Sequence, residues 1–128
     1  MRILLDTHAF LWWITGDQRL SQRSIECISD GSNELFFSVA SGWEIAIKAG
    51  LGRIDIPDPL DRFVSEHLFR NHMDVLAIQL SHALHVITLP QFHRDPFDRM
   101  LISQAQIERL PILSSDKLLA AYDVEVIW

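Results

Sequence analysis

Short apolar runs alternate along the chain with longer stretches in which apolar positions recur at helical spacing. The first run, Arg2–Leu5 (RILL), shows no polar alternation and ends at Asp6-Thr7, as expected of a first, central strand buried on both faces. Residues 8–14 are apolar nearly all round and stop before Gly16-Asp17, which predicts a short helix with a C-terminal glycine. Residues 21–29 set Ile25 and Ile28 on one helical face, with Ser21 as N-cap and Asp30-Gly31 as the stop. Residues 34–39 (ELFFSV) read as the second strand. Ser41-Gly42-Trp43-Glu44 has the spacing of a capping box, and Ile45, Ala46, Ile47 and Ala49 carry a helix on to Gly50 and Gly52. Asp58 as N-cap and Pro59 in the first helical position open a helix to about His72. Residues 75–78 read as a short strand, and Ser81 caps a helix over 82–87 that ends before Pro90. Asp95-Pro96 repeats the cap-then-proline device ahead of Met100, Leu101, Ile102, Ala105 and Ile107. Residues 111–113 form a strand ending at Ser114-Ser115-Asp116, a short helix covers 117–122, and 124–128 is the last strand. Strands alternating with helices predict an α/β fold, three layers with a central mostly parallel sheet and helices on both faces.

Composition narrows this picture. With 128 residues, 48% hydrophobic and 22% charged, the expectation is a single compact domain over residues 1–128, with no internal repeat or linker. Cys27 has no second cysteine to pair with, which excludes an intrachain disulfide, a zinc knuckle or a CxxC pair and suits a reducing compartment. An acid at position 6 interrupts any signal peptide, and no apolar stretch is long enough to span a bilayer, so the expectation is a cytoplasmic protein with no membrane association. A formal charge of -6 argues against general electrostatic binding of nucleic acid. The placement of the acids changes that judgement.

Asp6 lies just beyond a strand, Glu44 and Asp98 in the first turns of predicted helices, and Asp116 just beyond another strand. In a parallel α/β sheet, strand C-termini and the following helix N-termini share one edge, where ligands bind, so these four carboxylates can converge. Helix dipoles are too weak to hold four like charges together, and a divalent cation is needed. An all-carboxylate set suits Mg2+ or Mn2+ better than Zn2+. Such an ion can activate water for attack on a phosphodiester. Each acid also has an ordinary local reading: Asp6 as a turn residue, Glu44 as the end of a capping box, Asp98 as a first-turn acid, Asp116 as an N-cap. Asp95, directly before Pro96, reads as a cap. Arg94, Arg99 and Lys48 lie near the acids and are candidates for phosphate contact, although Lys48 can equally pair with Glu44 at i,i+4. His82 and His85 share a helix face but lack a third ligand, and no HExxH motif exists. Phe10, Trp12 and Trp13 read as core or protein-interface residues in preference to a base-stacking platform. His8 stands where an aspartyl phosphatase needs its second Asp, and no GxGxxG follows the first strand.

Four segments, LLDTHAFLWW, SVASGWEIAIKAGLGRI, HRDPFDRMLISQA and ILSSD, together resemble PIN-domain ribonucleases of the VapC toxin family, in the right order and over nearly the whole chain. The resemblance implies a PIN-like fold and a metal-dependent endoribonuclease that cleaves RNA as the toxin of a toxin-antitoxin pair. It implies that Asp6, Glu44, Asp98 and Asp116 hold Mg2+ or Mn2+, and that Thr7 and Ser114 orient a carboxylate or a water. It further implies a homodimer, and a cognate antitoxin whose C-terminal segment covers the acidic site. An RNA-processing nuclease without a toxin role and a catalytically silent binding domain are the alternatives; no acid of the pattern is missing.

Overall fold

The computed structural model describes every residue of the chain except Asp58. Five strands form one sheet in the order β3-β2-β1-β4-β5, and each of its four pairings is parallel. The strands are β1 (Arg2–Leu5), β2 (Glu34–Ser38), β3 (Met73–Leu76), β4 (Ile112–Leu113) and β5 (Val126–Ile127). β1 is central, as its uninterrupted apolar run predicts, and Ile3, Leu4 and Leu5 have no measurable exposure. The pleat sends Ile3 and Leu5 to one face and Leu4 to the other.

The first face is covered by α1 (Thr7–Thr15), α2 (Gln22–Ser29), α3 (Val39–Gly50) and α4 (Leu60–Arg70), through Phe10, Ile28, Ile45 and Leu68. The second is covered chiefly by α6 (Pro96–Glu108), with Leu101, Ile102 and Ala105, and by the 3-10 helix Lys117–Tyr122, with Leu119 and Tyr122. The short helix α5 (Leu80–His85) and a 3-10 turn at Val86–Thr88 lie against α6. Phe10 is fully buried, Trp13 is half-buried with its indole Nε1 donating to Asn71 at 2.8 Å, and Trp12 is half-buried beside Trp128.

Several local expectations need correction. α3 starts at Val39, because Ser38 takes the cap and accepts the Ala40 N–H at 3.0 Å; Ser41 and Glu44 therefore lie inside the helix, with Glu44 in its second turn. Pro59 is the N-cap of α4 and not its first helical residue, while the cap expected at Asp58 lies outside the described residues. α4 ends at Arg70, His72 adopts a left-handed φ of 53°, and β3 begins at Met73, two residues earlier than expected, because Met73 is the residue that pairs with Leu35. Gln79, not Ser81, caps α5, sharing a reciprocal capping box with His82. Residues 117–122 wind as a 3-10 helix, and β5 is confined to Val126–Ile127.

Candidate active site

Asp6 follows directly on β1 and occupies the N-cap position of α1, yet its carboxylate caps nothing. It faces across to the end of β4, where the Ser114 hydroxyl donates to Asp6 Oδ2 at 2.7 Å. The same Ser114 Oγ accepts the backbone N–H of Asp116 at 3.1 Å, so one hydroxyl ties the two strand-end acids together. Burial raises the pKa of Asp6, against the lowering effects of the Ser114 hydrogen bond, His8 and the Thr7 backbone amide. Glu44 reaches the same edge from α3, is 4% exposed, and receives a hydrogen bond from Lys48 Nζ at 2.6 Å. Asp98 enters from the first turn of α6, whose N-terminus is fixed by Asp95 accepting the Phe97 and Asp98 amides at 2.7 and 3.2 Å. Its carboxyl is pushed up to about 7, first by burial, then by the charges of Asp95 and Asp6, with His93 opposing and Glu44 adding to the rise.

Asp6, Glu44 and Asp98 are thus brought within electrostatic reach of one another. Asp116 stands at the flank of this cluster, connected through Ser114. Its Oδ1 accepts the Leu118 amide at 3.0 Å as the cap of the 3-10 helix, and its Oδ2 accepts from His93 Nε2 at 2.7 Å. Among the described residues no group of three or more His, Cys, Asp or Glu side chains is close enough to enclose a metal ion. The arrangement instead fits a hydrated hard cation, taken by one or two carboxylates and otherwise by water. Two of the acids have their pKa raised partly by neighbouring negative charge, and Lys48 is the one cation bonded to a cluster carboxylate among the described residues.

Other expected site residues fall elsewhere. Thr7 is buried, and its hydroxyl donates to Ser41 Oγ at 2.8 Å, bracing α1 against α3; only its backbone amide serves a carboxylate. Arg99 does not face phosphate: it is buried, and its guanidinium donates to the carbonyls of Pro90, His93, Val86 and Leu89, a clasp for the loop ahead of α6. Arg94 is exposed on that loop. His82 bonds Glu108 and the Gln79 amide, and His85 bonds Gln106, so both imidazoles join α5 to its surroundings. His93, Tyr122 and Ser41 contribute to the site's framework without having been expected there: Ser41 was read as a helix cap, and His93 was visible only as the first residue of the HRDPFDRMLISQA segment. A groove of about 540 Å³ opens next to the acids, lined by His8 and Trp12 of α1, Lys48 and Arg53 after the acid-bearing turn, and Ile56 and Phe63.

Carboxylates gathered at the C-terminal edge of a parallel sheet, with helices on both faces, define an α/β domain with an acidic ligand-binding edge. The chain belongs to the PIN domain family, which residues 3–125 match. It is similar to Ribonuclease VapC22 of Mycobacterium tuberculosis, with 28% identity over 121 residues covering 94% of this chain and 91% of that protein. In fold it is similar to VapBC2 from Rickettsia felis bound to a promoter DNA fragment (TM-score 0.73, 11% identity, 99% and 98% of the two chains covered). It is also similar to FitAcB from Neisseria gonorrhoeae (TM-score 0.66, 15% identity, 98% and 96% covered).

Proposed function

We propose that this protein is a Mg2+- or Mn2+-dependent endoribonuclease that hydrolyses RNA phosphodiester bonds, acting in the cytoplasm as the toxin of a toxin-antitoxin pair. The observation that carries the reading is the gathering of Asp6 at the end of β1, Glu44 in α3 and Asp98 in the first turn of α6 at one sheet edge. The ribonuclease VapC relative, similar over nearly its full length, supports the activity, and the VapBC2 structure supports a toxin-antitoxin setting.

Asp6 and Asp98 are the carboxylates that would hold the hydrated cation, with Glu44 and Asp116 extending the acidic edge around it. When bound, the ion supplies the positive charge that a scissile phosphate needs and polarises water for its attack. The chain's own groups set the stage for this. Ser114 orients Asp6, and Lys48 holds Glu44 against α3. Asp98, whose carboxyl is pushed up to about 7, would have to release its proton to hold a cation, which links its acidity to cation affinity. Arg94, exposed beside the cluster, supplies a phosphate contact. The groove lined by Trp12, Ile56 and Phe63 receives the C-terminal segment of a cognate antitoxin, whose basic side chains would meet the acids at its end. The working unit is a homodimer, supported by the exposed apolar residues Leu80, Leu84 and Ile87.

The test is cleavage of a mixed RNA substrate by antitoxin-free protein with Mg2+, with Mn2+ and with EDTA, alongside Asp98→Asn. Metal-dependent cutting that the substitution abolishes is the expected result. Full cutting by Asp98→Asn would overturn the assignment of the site, and a folded wild type that neither binds Mn2+ nor cuts would overturn the nuclease reading.

A further inference from the structure

We infer that His93 is a positioning residue of the acidic site, fixing the Asp116 carboxylate from behind, and that Tyr122 in turn fixes His93. The inference rests on the endoribonuclease reading above.

The contacts form a continuous chain from core to site. Tyr122 is 2% exposed, and its ring packs against Phe92 and His93 with centroid separations of 5.2 and 5.3 Å. Its hydroxyl accepts the backbone N–H of His93 at 2.5 Å and lies 2.9 Å from His93 Nδ1. A carboxylate only accepts, so His93 Nε2 carries a hydrogen and donates it to Asp116 Oδ2, 2.7 Å away, while Nδ1 is held by the Tyr122 hydroxyl. The His93 side chain is 10% exposed and that of Asp116 is 40% exposed, so the ring is the buried support and the carboxylate the wetter group. Arg99 holds the backbone of the same loop through the carbonyls of Pro90 and His93.

The consequence is a carboxylate with little freedom. One Asp116 oxygen is committed to the Leu118 amide and the other to His93, while its own N–H is held by the Ser114 hydroxyl that also orients Asp6. A cap of a 3-10 helix needs only the Leu118 bond. The His93 bond is additional, and together with the Leu118 bond it fixes the rotamer of the Asp116 carboxylate. A histidine held by a second group and aimed at a carboxylate of an ion site is the kind of outer contact whose loss costs roughly 10- to 100-fold in metal affinity or activity.

The experiment compares wild type, His93→Ala, His93→Gln and Tyr122→Phe by Mn2+ titration, RNA cleavage and melting in EDTA. His93→Ala is expected to weaken Mn2+ binding by about 10-fold or more. His93→Gln, whose side-chain N–H can reach Asp116 from the same backbone position, is expected to recover most of that loss. Tyr122→Phe, which keeps the ring and removes the hydroxyl, falls between them. Should His93→Ala fail to fold, His93→Asn, too short to make the bond, takes its place with the same loss expected. Unchanged Mn2+ affinity in His93→Ala, or equal loss in the Ala and Gln variants, would overturn the inference while wild-type cleavage left the nuclease reading standing. A wild type without Mn2+ binding or cleavage would overturn both.

Discussion

Asp98 couples the chemistry of the site to the stability of the fold. Its carboxyl stands at about 7 in the folded protein against an ordinary value of 3.8, with burial the first cause and the charges of Asp95 and Asp6 next. Between those two values the folded chain keeps a proton that the unfolded chain has released, so the metal-free protein loses stability as pH rises through this window. Asp98→Asn, a neutral isostere, removes that dependence. Melting in EDTA is therefore expected to show the variant above wild type at pH 8 and the two together below pH 4. A variant that melts lower than wild type at pH 8 would mean that the charged form is compensated by protein groups. The same proton must leave when a cation binds, so wild-type Mn2+ affinity should climb between pH 6 and pH 8. Asp6 was legible in the sequence because strand ends of a parallel sheet share an edge by construction, and Ser114 through the family resemblance of the ILSSD segment. His93 and Arg99 were not, because their roles depend on the fold: His93 reaches partners 23 and 29 positions away, and Arg99 reaches carbonyls 6 to 13 positions back.

The helices α3 and α6 are the elements that carry Glu44 and Asp98, and the start of α3 is held by buried hydrogen bonds. Ser38 accepts from the Ala40 amide and donates to Gln104 Oε1 at 2.5 Å, while Gln104 Nε2 donates to the Ala77 carbonyl at 3.3 Å. One serine thus caps α3 and joins it to the middle of α6. Ser38→Ala removes the cap and strands a buried amide oxygen, and is expected to cost about 1–3 kcal/mol in denaturant unfolding. A loss below about 0.5 kcal/mol would show that the two helices are fixed by apolar packing alone. Asp95 serves α6 differently, both as a cap and as the first of the charges raising Asp98. Asp95→Asn keeps a good cap and removes the charge. Stability at pH 5 should stay within about 0.5 kcal/mol of wild type. The pH at which Mn2+ begins to bind should move down. If both stay where they were, Asp95 acts on α6 only as a cap. The α6 start was plain in the sequence because a proline after a capping acid admits few alternatives. The α3 start was not: the Ser41-to-Glu44 spacing imitates a capping box, and only the burial of Ser38 against Gln104 reveals where the helix begins.

Over the whole molecule, the two faces of the sheet offer different surfaces. The face covered by α1 and α4 carries the groove that runs up to His8 and Lys48, close to the acids. On the other side, α5 and the turn after it leave Leu80 at 73%, Leu84 at 65% and Ile87 at 90% exposure, spaced as one helical stripe. Three large apolar side chains this open, contiguous along one stretch, are the kind of patch that a second chain covers. Because α5 lies against α6 and the groove lies by α1 and α4, pairing through the stripe leaves the groove free, so dimerisation and antitoxin binding need not compete. Leu84→Glu with Ile87→Glu places two charges in the stripe without touching any acid of the site or any core residue. Sedimentation at micromolar concentration is expected to show wild type as a dimer and the double variant as a monomer, both with the same Mn2+ affinity. A monomeric wild type would overturn the homodimer. A monomeric variant that also loses Mn2+ affinity would mean that the paired chain helps to order α6, joining assembly to the chemistry of Asp98.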